Sequence, residues 1–105
     1  MTATENPDEI YRAKLNLETS KIAWKELQRF FASGSALAVA ADLDLVEVAY
    51  QMSEDNVVQI QQWATQGKLG KVSDEQAGEW LSSDVTVWAV VVRPWVLVQP
   101  IRQVH

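Results

Sequence analysis

The sequence predicts an α+β domain: about five short helices packed on a small sheet of three or four strands, the C-terminal strand central in that sheet or at an interface. Three observations predict it. Residues 85–99 hold seven Val, two Trp and one charge, a stretch too short and β-branched for a membrane helix and too apolar to stand in water. Ahead of it lie short helical periodicities, several opened by side chains that cap helices. The length, 105 residues, suits a single domain that buries about two-thirds of its unfolded surface around one core.

Each element has its own signature. Residues 7–19 read as a helix: Pro7 suits the first turn, Asp8 and Glu9 suit the N-terminus, and Ile10, Ala13 and Leu17 share one face at helical spacing. After a joint at Thr19-Ser20, residues 21–33 read as a second helix with Ala23, Trp24, Leu27, Phe30 and Phe31 on an apolar stripe, ended by Gly34. These two are expected to fold back on each other as a hairpin. Residues 36–41 are a short apolar run that suits a buried strand or a helix, the strand being favoured. Asp44 then caps a helix, with Glu47 completing an Asp version of the capping box and Leu45, Val48, Ala49 and Met52 at helical spacing. Asp55 is expected to cap a further helix carrying Val57, Ile60, Trp63 and Ala64, closed at Gly67.

Residues 69–72 read as a short strand, and Ser73 with Gln76 forms a capping box for a helix over 74–82 with Ala77, Trp80 and Leu81 inward. Strands follow at 85–92 and 95–99. Pro94 cannot donate to a ladder, so it marks an edge, a bulge or a break, and a two-residue turn at Arg93-Pro94 is not expected because such turns favour positive φ. Residues 1–7 and 100–105 are expected to be flexible.

Composition narrows the chemistry. There is no Cys, which excludes disulfides, thiolate metal sites and cysteine nucleophiles. The one His is His105, so histidine triads and ordinary zinc sites lack raw material, and no metal or other cofactor is expected. The first residues lack the pattern of a signal peptide and no run approaches a membrane span, so a cytoplasmic protein without a membrane partner is expected. Five Trp in so short a chain predict an aromatic-rich core with some indoles at an interface or pocket edge.

The net charge of −5 sits entirely in residues 35–67, which carry Asp42, Asp44, Glu47, Glu54 and Asp55 and no Lys or Arg. The carboxylates at 42, 44 and 47 are the candidate ligand or partner site, together with Trp63 and Trp80 as flat walls. Their spacing is wrong for a Ca²⁺ loop, since Leu43 and Leu45 interrupt and no Gly turn is present, and a capping and solvating role accounts for the same residues. Lys21, Lys25 and Arg29 form a basic row, but Glu18 and Glu26 flank it and the whole chain is acidic, so nucleic acid is not an expected partner. Ser73 near Lys68 and Lys71 is accounted for as a helix cap, and the glycines at 67 and 70 lack phosphate-loop spacing.

Residues 24–32 (Trp-Lys-Glu-Leu-Gln-Arg-Phe-Phe-Ala), 43–49 (Leu-Asp-Leu-Val-Glu-Val-Ala), 72–77 (Val-Ser-Asp-Glu-Gln-Ala) with Trp80, and 87–99 together resemble a family of small bacterial proteins carried as a domain of unknown function. The resemblance spans about residues 12–99. It implies a compact cytoplasmic bacterial protein and carries over no reaction, ligand or partner.

Scarce catalytic residue types and abundant apolar strand surface make a non-enzymatic interaction or regulatory protein the leading expectation. On the strand, Trp88, Val90 and Val92 share a face; with Trp95 they are the candidate homodimer interface. A basic protein docking on residues 42–55 is a second expected partner. The competing expectation is a small-ligand module or carboxylate enzyme, which would need a cleft joining Asp42, Asp44 or Glu47 to Trp63 or Trp80.

Overall fold

A computed structural model describes residues 7–101. Its element order is α1 (Pro7–Glu18), β1 (Ser20–Ala23), a 3-10 turn (Trp24–Leu27), α2 (Gln28–Ala32), β2 (Ala36–Val39), α3 (Leu45–Ser53), α4 (Val57–Thr65), β3 (Leu69–Lys71), α5 (Asp74–Ser82), β4 (Thr86–Val92) and β5 (Trp95–Pro100). The α+β class is as expected, but the sheet among the described residues has five strands, in the order β1-β4-β5-β2-β3. β5 occupies the centre, antiparallel to β4 and parallel to β2. Pro7 opens α1 and Pro100 closes β5 opposite Val87, so both are ordered into elements. Ile101 follows β5 outside any element, and residues 1–6 and 102–105 lie outside the described residues.

The additional strand is β1. Residues 20–23 do not begin a long helix; they run antiparallel along β4, with Ile22 opposite Val87. A long apolar strand such as β4 leaves open backbone groups along its edge, and β1 covers part of that edge. The helical stripe expected over 21–33 survives only in its second half, through the 3-10 turn and α2. Gly34 ends α2 at φ 78, as expected. The expected hairpin between the first two helices is not formed: α1 packs on α3 and β4 instead.

β4 and β5 form a tight hairpin with Val92 opposite Trp95, leaving Arg93-Pro94 as its two-residue turn. The expectation against such a turn fails because the Arg93–Pro94 peptide is cis, the arrangement that lets Pro take the third position of a tight turn.

Side-chain alternation sends the two faces of the sheet into separate cores. Leu37, Val39, Leu69, Val90 and Leu97 meet Leu15, Leu45, Val48, Ala49 and Tyr50 beneath α1, α3 and α4. Ala36, Val87, Ala89, Val96 and Val98 meet Trp24, Leu27, Ala77 and Trp80 on the other side. The aromatic core expected from the Trp count is this second one. Trp24, wholly buried, meets Trp80 edge-on at 5.0 Å and Phe31 at 6.0 Å.

Four helices end in a left-handed residue: Gly34 and Gly67 as expected, and Asp55 (φ 58) and Asp84 (φ 51) as aspartates. The role expected for Asp55, the N-cap of α4, belongs to Asn56, whose Oδ1 accepts from the Gln59 amide at 3.2 Å. Asp55 closes the preceding helix.

Candidate functional site

The acidic middle of the chain is built into the fold. Asp42, in the turn after β2, accepts a hydrogen bond from Lys68 Nζ at 2.7 Å. Asp44 caps α3, its Oδ1 accepting from the amides of Val46 at 3.0 Å and Glu47 at 3.3 Å. Glu47 turns away from the cap: its carboxylate meets Arg12 of α1 at 3.1 Å and accepts from Gln51 Nε2 at 2.7 Å. Gln51 Oε1 in turn accepts from Asn56 Nδ2 at 2.7 Å. A polar relay therefore runs from α1 through α3 to the cap of α4. Glu54 and Asp55 are exposed at the end of α3.

Arg12 also lies over the Tyr50 ring, 4.3 Å from its centroid, and Tyr11 leans on the same ring at 6.2 Å. The Tyr50 hydroxyl is pushed up to about 12, first by its side-chain hydrogen bond with Asp8 and then by burial and the negative charges of Asp8 and Glu54, Arg12 acting in the opposite direction. Such a phenol stays protonated at neutral pH and serves as a donor, not a base.

Trp63 is half-buried against the α1–α3–α4 core, whereas Trp80 lies in the core across the sheet, so the two indoles share no pocket. Neither lines the hollow containing Asp44. That hollow, about 250 Å³, is bounded by Asn16, Thr19, Leu43, Trp88 and Gln99 among others. Among the described residues, no group of three or more His, Cys, Asp or Glu side chains is placed to hold a metal ion. The expected basic row is dispersed as well: Lys21 lies over the Trp88 ring at 5.1 Å, Lys25 approaches Asp84 at 3.9 Å, and Arg29 lies over Phe30. Ser73 Oγ accepts from the Gln76 amide at 3.1 Å, the expected cap.

The candidate interface residues of the C-terminal hairpin face α1, α3 and α4. Val90 is 1% exposed, and Trp88, Val92 and Trp95 are partly buried around it. Val92 and Trp95 also line an apolar hollow of about 430 Å³ at the hairpin tip, with Met52, Val57, Ile60 and Ala64. Asp55 and Arg93 stand in its lining too.

The apolar surface that sequence reasoning missed lies on helices. Ile10 is 52% and Leu17 84% exposed, with Ala13 between them also outside. The stripe that helical spacing singles out faces solvent, and α1 is anchored by Leu15, which is 2% exposed. Tyr11 packs on the same core. Val57 and Val58 of α4 and Leu81 of α5, expected inward or unremarked, are likewise outside. Periodicity identified these stripes but could not say which face the sheet would take, because α1 offers two: Tyr11 with Leu15, and Ile10 with Leu17.

No helix among the described residues is long and apolar enough to cross a membrane. No curated protein matches the chain. The chain is similar to a solved structure titled the NMR solution structure of PA1075 from Pseudomonas aeruginosa, at 41% identity and TM-score 0.79, with all of both chains covered. Residues 10–100 match the family described as protein of unknown function (DUF2288), and the chain belongs to that family.

Proposed function

We propose that this chain works by contact with other proteins, copies of itself included, and not by catalysis. The observation that carries this reading is the set of apolar side chains left on its outside, Ile10 and Leu17 on α1 and Val57 and Val58 on α4. Scattered exposed apolar residues are ordinary, but Ile10 and Leu17 lie two turns apart on one face of α1, and contiguous exposed apolar surface marks contact sites. The helix over 57–65 adds a second trait, having no charged residue in an otherwise acidic segment. Depletion of charge is the compositional mark of interface centres. The hairpin-tip hollow, with Val92 and Trp95, belongs to the same proposed surface.

The carboxylates support this reading from the other side. Asp42, Asp44 and Glu47 are engaged by Lys68, by a helix end and by Arg12. A carboxylate enzyme would need such groups held toward a substrate and joined to an indole wall. Docking of a basic protein on residues 42–55 is a second proposal, favoured by the absence of any Lys or Arg from 35–67. Bacterial cytoplasm is the proposed setting; the Pseudomonas aeruginosa relative supports its bacterial part.

Sedimentation equilibrium across one to one hundred micromolar tests self-association; a strict monomer throughout that range argues against it. For the basic partner, replacing Asp42 and Asp44 by Asn and Glu47 by Gln together should weaken capture of a polybasic peptide, and unchanged, salt-insensitive capture removes that proposal.

A further inference from the structure

We infer that the outward face of α1 is the self-contact of this protein: α1 helices of two copies lie side by side and parallel, sealed along Ile10, Ala13 and Leu17, with Glu9 of each copy against Lys14 of the other. The inference rests on the proposal that the chain self-associates and names the surface and the orientation.

The seam follows from spacing. Ile10, Ala13 and Leu17 recur at intervals of three and four, the alternation that keeps one stripe facing a neighbouring helix over two turns. Among the described residues nothing covers this stripe, since Tyr11 and Leu15 take the opposite side of α1 into the core. The C-terminal end of α1 adjoins a hollow of about 380 Å³ lined by Glu18, Val91 and Arg93.

Charge sets the orientation and points to a second copy. Glu9 flanks the seam on one side and Lys14 on the other, both exposed, and neither makes an ion pair among the described residues. Five positions apart, they cannot meet on one helix, where side chains interact at three or four. Across two parallel helices they do meet: the residue just before the first seam position faces the residue just after the second, and the two-fold axis makes the pair twice. An antiparallel arrangement would set Lys14 against Lys14 and Glu9 against Glu9. Copies that each carry a net charge of −5 repel at long range, so a contact whose flanks neutralise each other is the kind of surface that permits approach. α1 has 12 residues, about 18 Å of helix, and the seam falls short of the roughly 800 Å² per partner of a standard interface. Association in the micromolar range is expected.

The absence of Cys makes the test clean. Ile10→Cys and Leu17→Cys, each alone, should give a covalent dimer under mild oxidation, because parallel pairing sets each position against itself. Ser82→Cys on α5 should stay monomeric. Ile10→Gln with Leu17→Gln should raise the dissociation constant by about a hundredfold while leaving the far-UV spectrum unchanged. Glu9→Lys or Lys14→Glu alone should weaken association by about three- to tenfold, and the two together should restore it. Three results overturn the inference. A wild-type monomer at one hundred micromolar removes it together with the self-association proposal. A dimer that survives the double Gln change removes only this surface and leaves self-association standing. A disulfide that forms only between Ile10→Cys and Leu17→Cys chains when mixed establishes the antiparallel pairing and overturns the parallel one.

Discussion

The indole Nε1 of Trp24 donates to the backbone carbonyl of Ala77 at 3.1 Å, tying the 3-10 turn to α5 across 53 positions of sequence. Trp24 also donates its backbone amide to Val85 at 2.9 Å, at the threshold of β4. One residue therefore fixes three elements on the face of the sheet away from α1. Trp24→Ala should cost about 3–5 kcal/mol, the range for emptying a buried aromatic site. Trp24→Phe should cost about 1–3 kcal/mol, through the lost hydrogen bond and the vacated second ring. Urea unfolding monitored by far-UV circular dichroism reads both, and a Trp24→Phe loss below about 0.5 kcal/mol would deny the indole its tying role.

Local rules made much of this fold legible. Asp44 and Ser73 cap where a capping residue followed by an acid or amide placed them, and residues 36–39 and 95–99 are strand where apolar, β-branched runs placed them. What escaped depended on partners distant in sequence. Residues 20–23 are strand because β4 offers an edge, a fact about residues 86–89. Glu47, paired by local spacing with its own cap, is drawn to Arg12 thirty-five positions away. The carboxylates of the candidate site were visible as a cluster in sequence, but α3 and the turn before it send them to separate partners. No local pattern carries that information.

Asp55 and Asp84 hold the left-handed positions that Gly34 and Gly67 hold elsewhere. A side chain at such a φ crowds the backbone, and Asp tolerates it only in part. Asp55→Gly should therefore stabilise the chain by about 0.5–1 kcal/mol despite glycine's greater freedom when unfolded. Asp84→Gly should gain less, because it also forfeits the approach of Lys25 at 3.9 Å, a contact between exposed groups. Thermal unfolding of the two variants beside the wild type checks the order; destabilisation by Asp55→Gly would contradict the assignment of that turn.

Tyr50 predicts an alkaline limit to stability. Its folded pKa, about 12, lies above the ordinary 10.0. Between these values the unfolded chain loses the phenolic proton while the folded chain keeps it, so unfolding is favoured as pH rises. The contribution should be fully present below pH 10 and fall away between 10 and 12. Lysines titrate in the same window, so the comparison is with Tyr50→Phe, which shares every other group. The wild type should lose urea resistance more steeply than Tyr50→Phe across that window, and parallel curves would sink the idea.

Leu15 and Leu17 stand two positions apart on α1 with opposite fates, 2% and 84% exposed. Leu15→Ala removes atoms from the core that also holds Val48, Tyr50 and Val90, and should cost about 2–5 kcal/mol. Leu17→Ala removes atoms from solvent and, in the dilute monomer, should change stability by less than about 0.5 kcal/mol. Had the Ile10–Ala13–Leu17 stripe been the buried one, the order would be reversed. Concentration separates the two roles further. Raising the protein from one to one hundred micromolar should increase the thermal midpoint of the wild type, because a folded dimer draws the equilibrium toward the native state. The Leu15→Ala protein should keep that concentration dependence at a lower midpoint, whereas Leu17→Ala should keep the midpoint and lose the dependence. A Leu17→Ala midpoint that rises with concentration as steeply as the wild type's would separate α1 from self-association.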